Sequence, residues 1–342
     1  MANSEWRIAN RKSGIHVWAR HAVPLALLLV FGLASQVHGQ QLRKIHVAIP
    51  AISPASTTFV VAREMGYYRD EGLHVELVAM PAAVAIQALI GRNTEFATVG
   101  GAGLPPVLRG APLRFLFTTF NRPMFWLYAK PEIRSIRDLK GKKVGVSSLG
   151  SGPDSLLRDL LKKHGLEGGR DVVIMPMGAG TARFVALKAG SVDAAMLSIP
   201  SNFMADEAGY RELVALIKQD LVELQGSILA REEVLESDPV LVEKFVRGSL
   251  KGLLYFQKKR SGTAAILTRF LRTKEDVAAR IYDLVHPGIT QDGTVSEDLQ
   301  RRSMEHILDR VGLKEPPSIG KVFDFALTKK VRDDLQQKGW MP

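Results

Sequence analysis

The stretch that most constrains the fold runs from Lys142 to His164 and reads KKVGVSSLGSGPDSLLRDLLKKH. It predicts a short strand, a loop rich in serine and glycine, and a helix with leucines at helical spacing. Ser151 is the predicted N-cap, Pro153 suits the first turn, and Asp154 completes a predicted capping box. Such a turn directs free backbone N–H groups into the space above the sheet, where a polar molecule or anion can bind. An ordinary turn with internally capped N–H groups is the alternative.

The same strand–turn–helix pattern recurs along the chain in two series. A first series predicts strands at 45–49, 72–78, 96–99 and 113–118, and a second predicts strands at 144–146, 172–175 and 194–197. Further strands are expected at 125–129, 214–217 and 227–230, whereas only helices are predicted after Arg231, among them 263–271, 274–285 and 296–311. Alternating strands and helices favour mostly parallel sheets that are covered by helices.

The two series predict an α/β protein with two lobes joined by two crossing segments. We expect the chain to cross between lobes near 125–131 and to return near 225–231. Lobe 1 is predicted to begin with 40–128, lobe 2 to comprise 129–226, and 227–342 to return to lobe 1 and pack helices on it. In α/β folds, ligands bind outside the carboxyl ends of the strands, so the cleft between the lobes is the expected site.

The first 39 residues are predicted to be a cleavable secretory signal. Basic residues precede an apolar run at 23–34 that is too short to span a bilayer, and Val37 and Gly39 suit the −3 and −1 positions of a signal-peptidase site. A buried N-terminal helix is the alternative. Cleavage would lower the formal net charge from +11 to +8, because four basic residues and one acidic residue would be removed.

Charge and cysteine content exclude several classes of function. The lysines and arginines are interspersed with acidic residues and form no basic block, so no nucleic-acid partner is expected. The sequence contains no cysteine, which excludes disulfides, thiolate metal sites, a cysteine nucleophile and a lipid-anchoring cysteine. We therefore expect a protein of the periplasm that is not lipid-anchored.

The loops that follow the predicted strands share a composition of serine, threonine and glycine. Hydroxyl groups and exposed amides donate hydrogen bonds without placing full charge in a site, and glycine lets the backbone approach a ligand. Arg122 could add a charge for an anionic group, or be a solvated loop residue. The candidate ligand-binding residues are Ser53, Ser56, Thr57, Gly100, Gly101, Ala102, Thr119, Asn121, Arg122, Ser148, Leu149, Gly150, Ser151, Gly180, Thr181, Ser198 and Pro200.

Signals for catalysis or cofactor binding are weak. The sequence contains no HExxH pair, GxSxG elbow or P-loop, so no catalytic residue, metal site or cofactor is predicted. Gly178 and Gly180 follow a predicted strand and open a helix, as in a dinucleotide-binding turn. Arg183, however, stands where that turn requires a third small residue.

One segment resembles a known family. Residues 62–75, AREMGYYRDEGLHV, are similar to the early signature of the nitrate/sulfonate/taurine-type solute-binding proteins of ABC importers, a group that also includes binders of thiamine-related pyrimidines. Segments 94–97, 136–146 and 186–194 agree with this family in order. The resemblance implies a type II periplasmic binding protein with two α/β lobes, a two-strand hinge and the cleft loops named above.

The resemblance also implies a function. We expect a monomeric binding protein that delivers a sulfonate, taurine, nitrate, carboxylate or pyrimidine-like molecule to an ABC permease at the inner membrane. One alternative is an enzyme on the same scaffold that acts on a heteroaromatic or phosphorylated substrate, and another is a ligand sensor for a membrane receptor. The eukaryotic pyrimidine-forming enzymes of this fold carry a cysteine-rich segment, which is missing here, so the protein is not expected to be an enzyme.

Overall fold

Two mixed β-sheets of five strands organise the computed structural model, which describes residues 41–219 and 221–342. The predicted signal segment, 1–39, lies outside the described residues. The strands are β1 Arg43–Ile49, β2 Leu73–Ala79, β3 Phe96–Ala97, β4 Leu113–Phe120, β5 Phe125–Ala129, β6 Lys143–Val146, β7 Val173–Pro176, β8 Ala194–Ser198, β9 Arg211–Ala215 and β10 Gln225–Arg231.

The helices fill the connections and the C-terminal third of the chain. They are α1 Thr57–Glu64, α2 Tyr67–Asp70, α3 Ala82–Ile90, α4 Leu104–Leu108, α5 Gly152–Lys163, α6 Gly180–Lys188, α7 Ser201–Glu207, α8 Glu232–Ser237, α9 Pro239–Lys258, α10 Arg260–Leu271, α11 Glu275–Val285, α12 Glu297–Glu305, α13 Leu308–Val311 and α14 Ala326–Gln337. Across the described residues, none of these helices combines the length and the apolar character needed to cross a bilayer.

The two sheets have the same internal order. Sheet 1 runs β2-β1-β3-β10-β4, and sheet 2 runs β7-β6-β8-β5-β9. In each, four strands run in the same direction, and the strand at the fourth position runs antiparallel to both of its neighbours. The antiparallel strands, β10 and β5, are those that enter a sheet directly after the chain has crossed from the other. The sheets are therefore mixed, because each lobe receives one strand from a crossing.

The register places the carboxyl ends of both sheets beside the crossings. Phe125, the first residue of β5, pairs with Ser198 at the end of β8, and Gln225, the first residue of β10, pairs with Phe120 at the end of β4. The crossings between the sheets are therefore 121–124 and 216–224. Because both crossings start and end at carboxyl edges, these edges face each other. The division into lobes at 128 and 226 stays a prediction.

The C-terminal helices pack against lobe 1, as predicted. Phe245 of α9 stacks on Phe96 of sheet 1 with ring centroids 4.3 Å apart, within a buried cluster that includes residues of α1 and α14. Gly252 lets α9 approach α1, since a Cβ there would lie 2.5 Å from the Thr58 carbonyl oxygen. Replacing a fully buried aromatic such as Phe245 with alanine would cost about 3–5 kcal/mol. Helix α11 also shares a buried cluster with Trp126 and other residues of sheet 2.

Two predicted elements have different bounds in the structure. The strand expected at 214–217 is β9 at Arg211–Ala215, and the apolar residues Leu216 and Ile217 belong to a buried 3-10 turn. Apolar character alone therefore misplaced the end of this strand. The single helix expected at 296–311 is divided into α12 and α13, so its continuity was predicted wrongly.

Candidate functional site

The predicted ligand-binding residues lie around the two facing carboxyl edges. Those of lobe 1 occupy the turns after β1 and β3, and those of lobe 2 occupy the turns after β6, β7 and β8. Thr119 is in β4, and Asn121 and Arg122 are in the first crossing. The structure therefore brings turns that are distant in sequence to the two facing carboxyl edges.

The turn after β1 leaves buried hydroxyl groups unpaired. Ser56 Oγ donates to the Ala51 carbonyl at 3.1 Å, and the Thr57 amide donates to the Pro54 carbonyl. The Oγ1 atoms of Thr57 and Thr58 are buried and have no hydrogen-bond partner among the described residues. A buried hydroxyl without a partner costs about 1–3 kcal/mol, so these two atoms are candidates for pairing with a ligand.

The glycine turn after β3 is fixed against the returning crossing. The Gly101 amide donates to the Leu224 carbonyl at 2.7 Å. Gly100 has a φ of +57°, and a Cβ there would lie 2.2 Å from the same carbonyl oxygen. Only glycine fits such a contact, because both the backbone conformation and the space exclude a side chain. Gly101 and Ala102 are thereby held at the lobe interface.

The first crossing is tied to both its neighbours. Thr119 Oγ1 donates to the Gly226 carbonyl at 3.1 Å, and the Asn121 amide donates to the Gly288 carbonyl at 3.1 Å. The Glu223 amide of the second crossing donates to the Asn121 carbonyl at 3.3 Å, so the two crossings lie side by side. Arg122 is exposed, and its aliphatic stem lies against Gly288.

A carboxylate that sequence reasoning missed lies where the lobes meet. A Cβ built on Gly101 of lobe 1 would lie 3.0 Å from Glu223 Oε1, and one built on Gly152 of lobe 2 would lie 2.8 Å from it. Burial raises the pKa of Glu223 to about 7, although His306 and Arg310 act in the opposite direction. No sequence motif marks this glutamate; the glycines that border it were the available signal.

The turn after β6 satisfies its own polar groups. The Gly150 amide donates to Asp154 Oδ2 at 2.7 Å, and Ser151 Oγ donates to the Ser148 carbonyl at 2.6 Å. Ser151 is the N-cap as predicted, but its side chain makes no capping bond, so the predicted capping box is wrong. Its hydroxyl points back into the loop because Ser147 and Ser148 offer local partners. For this turn the structure shows the internally capped alternative, and Leu149 is exposed.

The turns after β7 and β8 meet each other. A Cβ on Gly180 would lie 2.6 Å from Ser198 Oγ and 3.1 Å from Ser201 Oγ. Pro200 is the N-cap of α7, and Thr181 is exposed in the first turn of α6. The structure thus joins the predicted residues Gly180 and Ser198 with Ser201, which was not among the candidates.

Four more buried polar groups belong to this part of lobe 2 or to its border with sheet 1. Ser201 Oγ, Asn202 Oδ1 and Arg183 Nε are buried without partners among the described residues, as is Gln225 Nε2 in β10. Arg183 was noticed in the sequence only as a residue that spoils a dinucleotide-binding turn. No group of three or more histidine, aspartate or glutamate residues that could hold a metal ion occurs in 41–219 or 221–342.

Comparison with known proteins decides the family. The family model described as NMT1/THI5 like matches residues 53–260. The chain belongs to the NMT1/THI5-like family. This family assignment confirms the predicted resemblance, and no curated protein sequence matches the chain.

Solved structures confirm the fold of this NMT1/THI5-like chain. The periplasmic aliphatic sulphonate binding protein SsuA from Escherichia coli matches with a TM-score of 0.64 at 17% identity, over 82% of this chain and 91% of that one. The periplasmic nitrate-binding protein NrtA from Synechocystis PCC 6803 matches with a TM-score of 0.69 at 12% identity, over 86% and 90%. The desulfurization enzyme DSZB matches with a TM-score of 0.63 at 15% identity, over 85% and 99%. The fold is the predicted type II periplasmic binding protein fold.

Proposed function

We propose that this protein is the solute-binding component of an ABC importer and captures a small polar organic molecule or oxyanion between its lobes. The observation that carries the proposal is that unpaired buried polar atoms occur beside the carboxyl edges of both sheets. Thr57 and Thr58 supply them on lobe 1, and Ser201 and Asn202 supply them on lobe 2. Because unpaired buried groups are costly, a ligand that pairs with both sets of atoms would stabilise the closed arrangement of the lobes.

The two crossings provide the hinge for such a movement. They are the two connections that lead from a strand of one sheet to a strand of the other, and the Glu223 amide links them through the Asn121 carbonyl at 3.3 Å. A hinge of this kind needs only a few backbone angles to change while each sheet stays intact. A permease at the inner membrane would recognise the closed form, whose population rises because the ligand has a higher affinity for it.

Location and assembly follow from the same proposal. SsuA and NrtA are periplasmic binding proteins, and the predicted signal at 1–39 would deliver this chain to the same compartment without a lipid anchor. We expect a monomer. N-terminal sequencing of the exported protein should begin near Gln40, and an intact Met1 on exported protein would contradict the predicted signal.

An enzyme on this scaffold is the second candidate, favoured by the structural similarity to a desulfurization enzyme. Glu223, with a pKa raised to about 7 by burial, is the described group in the cleft best suited to proton transfer. Turnover of a co-purifying compound by the purified protein, lost in Glu223→Gln, would favour the enzyme.

The proposal is tested by identifying what the exported protein carries. Mass spectrometry of the protein purified without added ligand should show one small polar molecule that is released on unfolding. Calorimetry with that molecule should give one site per chain, and small-angle scattering should show contraction on binding. Chemical conversion of the molecule, or binding without any change in dimensions, would contradict the solute-binding role.

A further inference from the structure

Arg183 is a buried cation for which the described residues supply no counter-ion. Its residue surface is 2% exposed, Nη1 donates to the Gly178 carbonyl, and Nε has no partner among residues 41–219 and 221–342. No carboxylate of that part of the chain forms an ion pair with it. Burial alone lowers the pKa of Arg183 to about 10. Burying a charge without pairing it is costly, so a guanidinium held in this way requires compensation from elsewhere.

The position of Arg183 adds to this requirement. It lies in the first turn of α6, a helix of nine residues, and its amide makes the first helical bond, to the Ala179 carbonyl at 3.0 Å. The amides of Gly180 and Thr181 precede that bond and have no intrahelical acceptor. A helix N-terminus carries partial positive charge and favours anions. A guanidinium folded back over it is of the wrong sign, unless an anion lies between the two.

Hydroxyl groups converge on the same place. Measured from a Cβ built on Gly180, Ser198 Oγ would be at 2.6 Å, Ser201 Oγ at 3.1 Å and Arg183 Nη2 at 3.7 Å. Ser201 is 1% exposed, and its Oγ has no partner among the described residues. A guanidinium and two hydroxyls therefore lie beside one glycine at the start of α6, so close that a side chain there would collide with the hydroxyls.

We propose that Arg183, Ser198, Ser201 and the N-terminus of α6 form an anion-binding subsite for the oxyanion group of the ligand. A sulfonate, phosphate or carboxylate has several acceptor oxygens, which match the guanidinium and the hydroxyls, and such charge-assisted bonds are about twice as strong as neutral ones. This inference rests on the proposed function and narrows it, because it predicts an anionic ligand and disfavours a neutral pyrimidine. Lobe 1 would then contact the remainder of the molecule through neutral hydroxyls.

The test compares an anion with its neutral isostere. Methanesulfonate and dimethyl sulfone, each at up to 10 mM, are added to the full exported protein. Calorimetry measures their affinity, and thermal unfolding measures the change in melting temperature that each causes. Inorganic phosphate and acetate are added as further arms to distinguish the class of oxyanion. We expect methanesulfonate, phosphate or acetate to bind and raise the melting temperature, whereas dimethyl sulfone should bind at least 30-fold more weakly.

The matched variants are Arg183→Met and Arg170→Met. Both remove one positive charge from lobe 2, but Arg170 is exposed and pairs with Glu167 and Asp171. Arg183→Met should weaken anion binding at least 30-fold and leave the melting temperature without anion unchanged or higher, because an uncompensated buried charge is removed. Arg170→Met should bind the anion as the unaltered protein does.

Three outcomes would overturn the subsite. They are unchanged anion binding by Arg183→Met, equal binding of dimethyl sulfone and the anions, and failure of every anion to bind the unaltered protein. If Arg183→Met does not fold, Ser201→Ala replaces it and should weaken anion binding at least fivefold; unchanged binding would again overturn the subsite.

A neutral co-purifying ligand that closes the lobes would refute this subsite but leave the proposed function standing, whereas the absence of any ligand would refute the function itself.

Discussion

The two lobes share a strand order but differ in how their turns use polar groups. In lobe 1 the first strand leads to a helix whose Thr57 and Thr58 hydroxyls are buried and unpaired. In lobe 2 the corresponding turn after β6 is self-contained, with the Gly150 amide bound by Asp154 at 2.7 Å. The unpaired atoms Arg183 Nε, Ser201 Oγ and Asn202 Oδ1 of lobe 2 lie instead in the first turns of α6 and α7. Equivalent positions in two similar sheets therefore need not have equivalent functions.

This difference also separates two kinds of chemistry. In the proposed site, lobe 1 would contribute the neutral hydroxyls of Thr57 and Thr58, and lobe 2 would contribute the buried Arg183 guanidinium. Glu223 lies near glycines of both lobes. A ligand that contacts all three would meet donors on one side, a cation on the other and a titrating carboxyl beside the hinge.

The largest expected effect contrasts two glycines in turns of the two lobes. Gly100 and Gly150 both have positive φ, +57° and +78°, but a Cβ would be 2.2 Å from the Leu224 carbonyl oxygen at Gly100 and would meet nothing within 4 Å at Gly150. Gly100→Ala should cost about 3–5 kcal/mol of unfolding free energy and Gly150→Ala about 1 kcal/mol, since only the former adds a backbone clash to the conformational strain. Urea unfolding measures both. Equal losses of unfolding free energy in the two variants would show that the glycine turn of lobe 1 is not packed against the Leu224 carbonyl.

The second prediction concerns hydroxyl groups in the first turn of each lobe. The double variant Thr57→Val/Thr58→Val should weaken ligand binding at least tenfold without lowering the unfolding free energy, because both hydroxyls lack protein partners. Ser151→Ala should behave in the opposite way, since it loses its bonds to Ser147 and Ser148. It should cost about 1 kcal/mol of stability and leave affinity unchanged. Calorimetry measures the affinity of the two variants, and urea unfolding measures their stability. A larger loss of affinity in Ser151→Ala than in the double threonine variant would refute the contrast.

The third prediction uses the carboxyl group at the border of the lobes. The pKa of Glu223 is raised to about 7 in the folded protein, compared with 4.5 for a free glutamate, chiefly by burial. The folded state therefore holds more protons between these values, and the contribution of Glu223 to stability is lost as pH rises through about 7. Glu223→Gln should match the unaltered protein near pH 4.5 and exceed it by about 1–3 kcal/mol at pH 8. A difference in unfolding free energy that did not change with pH would contradict the burial of this carboxyl.

The smallest effect concerns an ion pair that joins lobe 2 to the C-terminal helices. Asp159 of α5 lies 2.8 Å from His306 Nε2 and 3.7 Å from Arg310 Nη2, beyond the end of α12. Because this pair joins lobe 2 to the C-terminal helices, Asp159→Asn should disfavour the closed arrangement and weaken ligand binding by about two- to fivefold. That loss corresponds to about 0.5–1 kcal/mol for a partly exposed pair, and it should shrink at high salt. Asp171→Asn, in an ion pair within lobe 2, is the control. If Asp171→Asn lost more ligand affinity than Asp159→Asn, the effect would come from lobe 2 and not from the ion pair between lobe 2 and the C-terminal helices.

The architecture could be predicted because its signals are local. The strand at 125–129 was predicted with the bounds that the structure shows, and the helix expected at 274–285 begins one residue later, at Glu275. Both could be predicted because alternation and helical spacing record which faces are buried. The mixed character of the sheets could not be read in this way. Pairing direction depends on where a crossing strand enters, and that is decided by tertiary structure.

The site was predicted less completely, for a physical reason. Composition identified the turns that border the cleft, but it could not show which polar groups satisfy one another. The Ser148–Ser151 turn looked open and is internally bonded, whereas Arg183 looked unsuitable and is the buried charge. Hydrogen-bond satisfaction is a property of three-dimensional neighbours, so it appears only once the fold is known.

The most direct test is a crystal structure of the protein with the molecule that co-purifies with it. The account predicts one ligand between the lobes, with an oxyanion within 3.2 Å of Arg183 or Ser201 and another polar atom at similar distance from Thr57 or Thr58, consistent with ordinary hydrogen-bond geometry. A ligand that contacts one lobe alone, or that lies away from both carboxyl edges, would contradict it.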